Sequence, residues 1–237
     1  MGETQLYFWK PTIKRHQEEL TIVLDYYNKT KDYFSNIEEE SKEYGNKLFR
    51  EYPGGEDTDI DSIAEWAQEE SVEMYLSLLT MKSNHLLMTI SLLYHTWEQQ
   101  LIRFTINELS HDLTFIKKVL EFKEVQTIFK LHGINIPDTI SWTKIRELKF
   151  LTNTIKHGDG DSADKLRKIR PDFFRSDLSG DSFDTLELHG AVLLNGQTLR
   201  VTEKDIEDYV VAVTSFWDEM PERAYCDVNT LLRETEK

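Results

Sequence analysis

Apolar and polar positions alternate with a helical period along most of this chain. Between Thr12 and about Gly45, a polar stretch carries Leu20, Val23, Leu24, Tyr27, Phe34 and Ile37 at three-, four- and seven-residue spacings, which is one apolar helix face. The segment Y-P-G-G-E-D-T-D-I-D, Tyr52 to Asp61, then breaks the pattern as a loop and offers Asp61 or Ser62 as the next N-cap. From Ser62 to about Ser110 neither proline nor glycine interrupts an apolar-rich run. That run predicts the central core element, either one very long helix or two helices meeting near Lys82 to Asn84. Asp112 or Thr114 should restart a helix through Phe115, Val119, Phe122, Ile128 and Phe129, closed by His132-Gly133 and Pro137.

The segment from Ile145 to Asp161, I-R-E-L-K-F-L-T-N-T-I-K-H-G-D-G-D, has two unlike faces. Leu148, Leu151 and Ile155 fall on one side of a helix, the stripe that buries against a core. Arg146, Asn153 and His157 fall on the other, because seven and eleven residues are close to whole turns at about 100° per residue. Thr143 opens this helix, with Arg146 where a capping box would place Glu or Gln, and Gly158 ends it. After Arg175 the texture changes. Leu186 to Val201 reads as a small hairpin around Asn195-Gly196. Thr202 caps a last helix through Ile206, Tyr209, Val213, Phe216 and Trp217, and the tail from Glu222 reads as a short helix or a partly ordered segment. The expected fold is therefore mainly α with a small C-terminal β-hairpin. An N-terminal helical extension and loop would occupy residues 1–61, and a helical domain would occupy 62–237, including the hairpin at 186–201.

Composition narrows the function. With 237 residues the chain can bury a substantial core, and no apolar run approaches a membrane span. Met1 to Lys10 is mixed and polar, so a cytoplasmic location is expected. A single cysteine, Cys226, excludes an intramolecular disulfide framework and a cysteine-rich zinc site. The net charge of -15 argues against a surface coated for general nucleic-acid binding. The charge is uneven, however. Between Thr143 and Arg175 nine basic residues (Lys144, Arg146, Lys149, Lys156, Lys165, Arg167, Lys168, Arg170, Arg175) stand against five acidic ones. Two readings of this basic island stay open: a track for a phosphate backbone, or a solvated helix face paired with the acidic remainder.

Other constellations are weaker. Glu108-Leu-Ser-His111 has the E-x-x-H spacing of di-iron bundles, but no second copy exists. Asp57-Thr-Asp59-Ile-Asp61 starts like a calcium loop, yet Ser62 holds the glycine position and Gln68 the glutamate position. His157-Gly-Asp-Gly-Asp is not a phosphate loop, and no cofactor or metal site is implied. His95 and Glu98 share a helix face, which suggests a core histidine satisfied by its neighbour. Trp66, Tyr75, Tyr94, Trp97 and Phe104 read as core rather than as a base-stacking platform.

The N-x-x-K-H-G string, Asn153 to Gly158, resembles the active-site region of the HEPN (higher eukaryotes and prokaryotes nucleotide-binding) families. Their pattern is an Arg, usually an Asn after it, and a His about five residues beyond the Arg. Asn153 and His157 match the Asn and the His, while Thr152 stands where the Arg is expected. Tyr94-His95-Thr96-Trp97-Glu98-Gln99-Gln100-Leu101 and the R-P-D-F-F of Arg170 to Phe174 also look like the surrounding text, so the resemblance extends over about Ser62 to Trp217. It implies a HEPN-like helical bundle, dimeric through the motif helix. It also implies a metal-independent endoribonuclease of a toxin–antitoxin or phage-defence system, with RNA as substrate and a cognate antitoxin or defence protein as partner. In that setting His157 would be the general acid/base, because imidazoles titrate near neutral pH, and Asn153 would orient it or hold a phosphate oxygen. Arg146, Lys149 and Lys156 would give electrostatic help. Lys165, Arg167, Lys168 and Arg170 would bind the RNA backbone. Arg146 lies eleven residues from His157, ~16 Å along a helix, so it would serve only across a two-fold axis. Two alternatives remain: His157 as a plain C-terminal cap cation, and the whole chain as a non-catalytic module that binds a partner protein or a nucleotide.

Overall fold

A computed structural model describes residues 2–55, 59–113, 120–175, 183–196 and 198–235. The described chain is mainly α with one small two-stranded antiparallel sheet. In order it runs β1 (Glu3–Tyr7), α1 (Lys10–Thr30), α2 (Ile37–Glu51), α3 (Ile60–Leu109), α4 (Phe122–Leu131), α5 (Trp142–His157), α6 (Asp161–Ile169), α7 (Thr185–His189), α8 (Glu203–Asp218), β2 (Arg223–Asp227) and α9 (Val228–Thr235).

The helical period was a good guide to these elements, and local chemistry placed their ends. The proline- and glycine-free run forms one helix, α3, 50 residues long. Its cap is Asp59, not Asp61 or Ser62: the Asp59 carboxylate accepts the Asp61 N–H at 3.1 Å and the Ser62 hydroxyl at 2.7 Å. The first helical stretch is broken into α1 and α2 by a 3-10 turn at Lys31–Phe34. α4 starts at Phe122 behind a Glu121/Glu124 capping box; no helix begins at Asp112, and Thr114, Phe115 and Val119 lie outside the described residues. α8 begins where expected, Asp205 accepting the Thr202 N–H at 2.8 Å.

The hairpin expected over 186–201 is a correction. The small sheet pairs β1 with β2, in the register Gln5↔Tyr225, and uses none of those residues. Asp184 takes the N–H groups of Leu186 and Glu187 at 2.9 Å each, so residues 185–189 start a helix instead of a strand. An Asn-Gly hairpin of the favoured type needs positive φ at both central residues. Neither Asn195 nor Gly196 has it. They sit in a turn held by Asn195 N–H to the Val192 carbonyl, and Gly196 is pressed so close to Thr80 that a Cβ would lie 2.7 Å from the Thr80 Cα.

The structure divides into two compact units, each assembled from separate stretches of the chain. One compact unit comprises Met1–Asp25, Thr89–Thr152 and Thr202–Lys237, the other Tyr26–Met88 and Asn153–Val201. The core of the first unit is aromatic: Trp97, Phe129, Tyr209, Phe216 and Trp217 are fully buried, with Trp97 edge-on to Phe216 at 5.2 Å. Gln100 bridges it, accepting the Trp217 indole N–H at 3.2 Å and donating to the His16 carbonyl at 3.0 Å. The sheet joins this unit through Thr4, whose hydroxyl meets buried His132 at 3.1 Å. In the second unit α2 lies against α3 where Gly45 leaves room: a Cβ there would sit 2.8 Å from both the Ala67 carbonyl oxygen and the Ser71 Cβ. Trp66 and Tyr75, expected in a core, are partly exposed on α3, and Trp66 packs edge-on to Tyr52 at 5.7 Å.

Candidate functional site

α5 has the two faces its sequence predicts. Ile145, Leu148, Leu151 and Ile155 are buried. Arg146 and His157 are exposed, and Asn153 is half-buried. At its N-terminus the Glu219 carboxylate accepts the N–H groups of Ile140 and Ser141, the latter at 3.0 Å, a favourable place for negative charge beside the helix dipole. Within the second unit, its C-terminus is set by Gly158 at φ +72°, whose N–H returns to the Thr154 carbonyl at 2.9 Å. The next residue, Asp159, donates its N–H to the Gly190 carbonyl at 3.2 Å, and any side chain at Gly158 would collide with that same oxygen. Glycine is thus required twice over at the residue that fixes where His157 points.

Thr152, standing where the motif expects arginine, is 2% exposed, and its hydroxyl has no hydrogen-bond partner among the described residues. That backbone position faces inward, so no guanidinium could reach solvent from it without leaving the core.

The basic island separates into two classes that sequence does not distinguish. Three of its cations are held internally. Arg167 in the second unit meets Asp184 at 2.6 Å, Asp159 at 2.6 Å and Asp164 at 3.0 Å, and lies over the Phe174 ring. Burial pushes the Asp184 carboxyl up, but hydrogen bonds from Arg167 and from the Glu187 and Leu186 N–H groups outweigh it and hold the pKa below the usual range. Arg170 pairs with Asp172 at 2.6 Å and stacks 3.7 Å from the centre of the Phe173 ring, so the R-P-D-F-F segment is a structural staple over two buried phenylalanines. Lys144 in the first unit pairs with Glu147 at 2.7 Å, and the Tyr209 hydroxyl donates to the same carboxylate at 2.8 Å.

The remaining cations face outward or pack on rings. Lys149 lies 5.1 Å from the centre of the Phe122 ring. Lys165 is exposed. Arg146, Lys156 and Lys168 are exposed and have no ion-pair partner among the described residues. Nor does any described residue hydrogen-bond the His157 ring or the Asn153 amide. What the last turn of α5 offers is therefore an imidazole and an amide on one helix side, a free ammonium at Lys156, and no internal group that orients the ring. The clefts lined by Gly45, Phe49 and Ala67, by Tyr7, Glu108 and His111, and by Phe183 and Leu188 do not include Asn153 or His157.

The other candidates have structural uses. Glu108 and Asp112 accept the N–H groups of Tyr7 and Gln5 at 2.9 and 3.3 Å, so the E-x-x-H segment secures β1. His95 is about half exposed with its Nδ1 3.5 Å from Glu98, and so is not the core histidine expected; Glu98 also accepts the Tyr94 hydroxyl at 3.0 Å. Asp57 lies outside the described residues, and Asp59 is the helix cap described above. Among the described residues no three His, Cys, Asp or Glu side chains converge as a metal site would, and no helix is long and apolar enough to cross a membrane. What sequence reasoning missed is the role of Asp184 and Asp159 as partners for Arg167, whose only signal was the acidic residues around the island. Neither a family model, a curated protein nor a solved structure matches this chain.

Proposed function

We propose that this chain is a HEPN-like protein acting as a metal-independent endoribonuclease in a toxin–antitoxin or phage-defence setting. The observation that carries the reading is the pair Asn153 and His157: the motif's amide and imidazole leave α5 on the side away from its buried stripe, and neither is consumed by a partner among the described residues. His157 would take the proton of a ribose 2′-hydroxyl as it attacks the neighbouring phosphorus, the 5′-oxygen would leave with a proton, and the product would end in a 2′,3′-cyclic phosphate. Asn153 would hold the ring or a non-bridging oxygen. The cation for the phosphorane would come from a second copy, with α5 antiparallel across a two-fold axis, where Arg146 of one chain meets His157 of the other. Lys156 and Lys168 would hold backbone phosphates. Arg167 and Arg170 drop out of that role, since their guanidinium groups are taken by carboxylates.

A second reading, a non-catalytic HEPN-like module for a partner protein or nucleotide, is favoured by one specific feature: Thr152 is buried where the motif arginine belongs. One assay separates the two. Mixed RNA is incubated with the protein in EDTA, and the products are examined for cyclic phosphate ends. Cleavage lost in both His157→Ala and Asn153→Ala supports the enzyme. Cleavage that persists in His157→Ala, or no cleavage at micromolar protein, overturns it in favour of the module.

A further inference from the structure

On α3 the apolar stripe that forms the core does not stop where the core stops. At 100° per residue, Val72, Leu76 and Leu79 fall within the same arc of about 100° as Leu86, Ile90, Leu93, Trp97, Leu101 and Phe104. The later six are buried, whereas Val72 and Leu76 are 46% and 49% exposed. Within the second unit α2 cannot roll over to cover them. It is locked on a different face of α3 by the close approach of Gly45 to Ala67 and Ser71 and by the Ser71 hydroxyl, which donates to the Ser41 carbonyl at 2.8 Å. Along the edge of the uncovered stripe runs a row of carboxylates, Glu65, Glu69 and Glu73, spaced four residues apart. None has an ion-pair partner among the described residues. Like charges at that spacing are a cost to an isolated helix. From Ile60 to Asn84 the helix carries Asp61 and Glu70 as well, with Lys82 its single cation.

We propose that this face of α3, Val72, Leu76 and Leu79 edged by Glu65, Glu69 and Glu73, docks a cationic amphipathic helix of a partner protein. An apolar stripe takes a helix by its own apolar face, at i, i+3, i+4 and i+7. Charge selects which helix. A second copy of this chain would bring the same acidic row against its like, and an anionic surface would be repelled, whereas lysines or arginines flanking the incoming stripe would meet all three carboxylates. The face is separate from the α5 residues of the proposed ribonuclease and does not depend on them.

The test uses the full chain and a fluorescein-labelled synthetic helix of eighteen residues, leucine on one face and lysine on the other, with a leucine/glutamate helix as control. Fluorescence anisotropy is expected to show micromolar binding of the lysine helix, weakened about tenfold or more by Leu76→Glu and by the double change Glu69→Lys with Glu73→Lys, and weakened by salt. Both variants alter exposed side chains, so their circular dichroism melts should match the parent. Equal binding to the Leu76→Glu variant would mean attraction to acidic charge in general and would overturn the proposal. So would preference for the glutamate helix, absence of binding, or a concentration-dependent dimer that Leu76→Glu dissolves, since a second copy would then be the occupant.

Discussion

The two halves of α3 share one sequence pattern and meet opposite fates. From Leu86 to Phe104 the apolar stripe is sealed, with Ile90, Leu93, Trp97 and Leu101 fully buried. At Val72 and Leu76 the same stripe is open, and α2 approaches its helix on another face, where Gly45 meets Ala67 and Ser71 and the Ser71 hydroxyl donates to the Ser41 carbonyl. Hydrophobic period therefore says that a face wants covering but not what covers it. The sealed half is stabilised by area removed from water, about 25 cal/mol per Å². In the open half, Val72 and Leu76 keep about half of their area in water.

The comparison can be broken most directly at Trp97. Trp97→Ala should destabilise the fold by about 3–5 kcal/mol, because it removes a fully buried indole together with its contacts to Phe216 and Tyr94. Urea unfolding would measure it, and a change under about 1 kcal/mol would mean that this half is no better sealed than the other.

A graded effect comes from acid. Burial lowers the pKa of His132 against the pull of its hydrogen bond to the Ile128 carbonyl. Burial also lowers that of His16, stacked 4.6 Å from Trp217, and outweighs the opposing attraction of Glu19. His85, stacked on Tyr27, is lowered by burial too. A base whose folded pKa is depressed binds its proton first in the unfolded chain. Stability from these three groups is therefore complete above about pH 6.5 and declines as pH falls below it. Thermal melts between pH 8 and 5 should show a plateau followed by a fall; a rise on acidification would contradict the burial of these rings.

The smallest effect is expected in the open half. Leu76→Ser should change stability by less than about 0.5 kcal/mol, since an exposed leucine loses little when shortened. A loss of 2 kcal/mol in the isolated chain would show that the stripe is already covered.

Legibility followed the same division. The apolar side of α5 is readable because Leu148, Leu151 and Ile155 repeat with the helix, and its end is readable because glycine adopts the left-handed φ found at Gly158 without the steric cost of a Cβ. The expected hairpin does not form because Asn195-Gly196 carries a strong turn signal whose flanks are decided elsewhere, by the Asp184 cap and by the close contact with Thr80. In the candidate site, the outward placement of Asn153 and His157 follows from spacing. The fate of the island's arginines does not: Asp184 lies seventeen residues from Arg167, and only the folded backbone brings the two carboxylates, Asp184 and Asp159, to one guanidinium.

Taken alone, the amino-acid order determined where helices run and which side of each is apolar, because both depend on neighbours within a turn or two. Tertiary structure alone decided that β1 pairs with β2, that Thr152 is shut inside, that Arg167 is spent on carboxylates while Lys156 is not, and that half of a continuous stripe stays open. These depend on groups far apart in the chain arriving at one place, and a local periodicity holds no record of that.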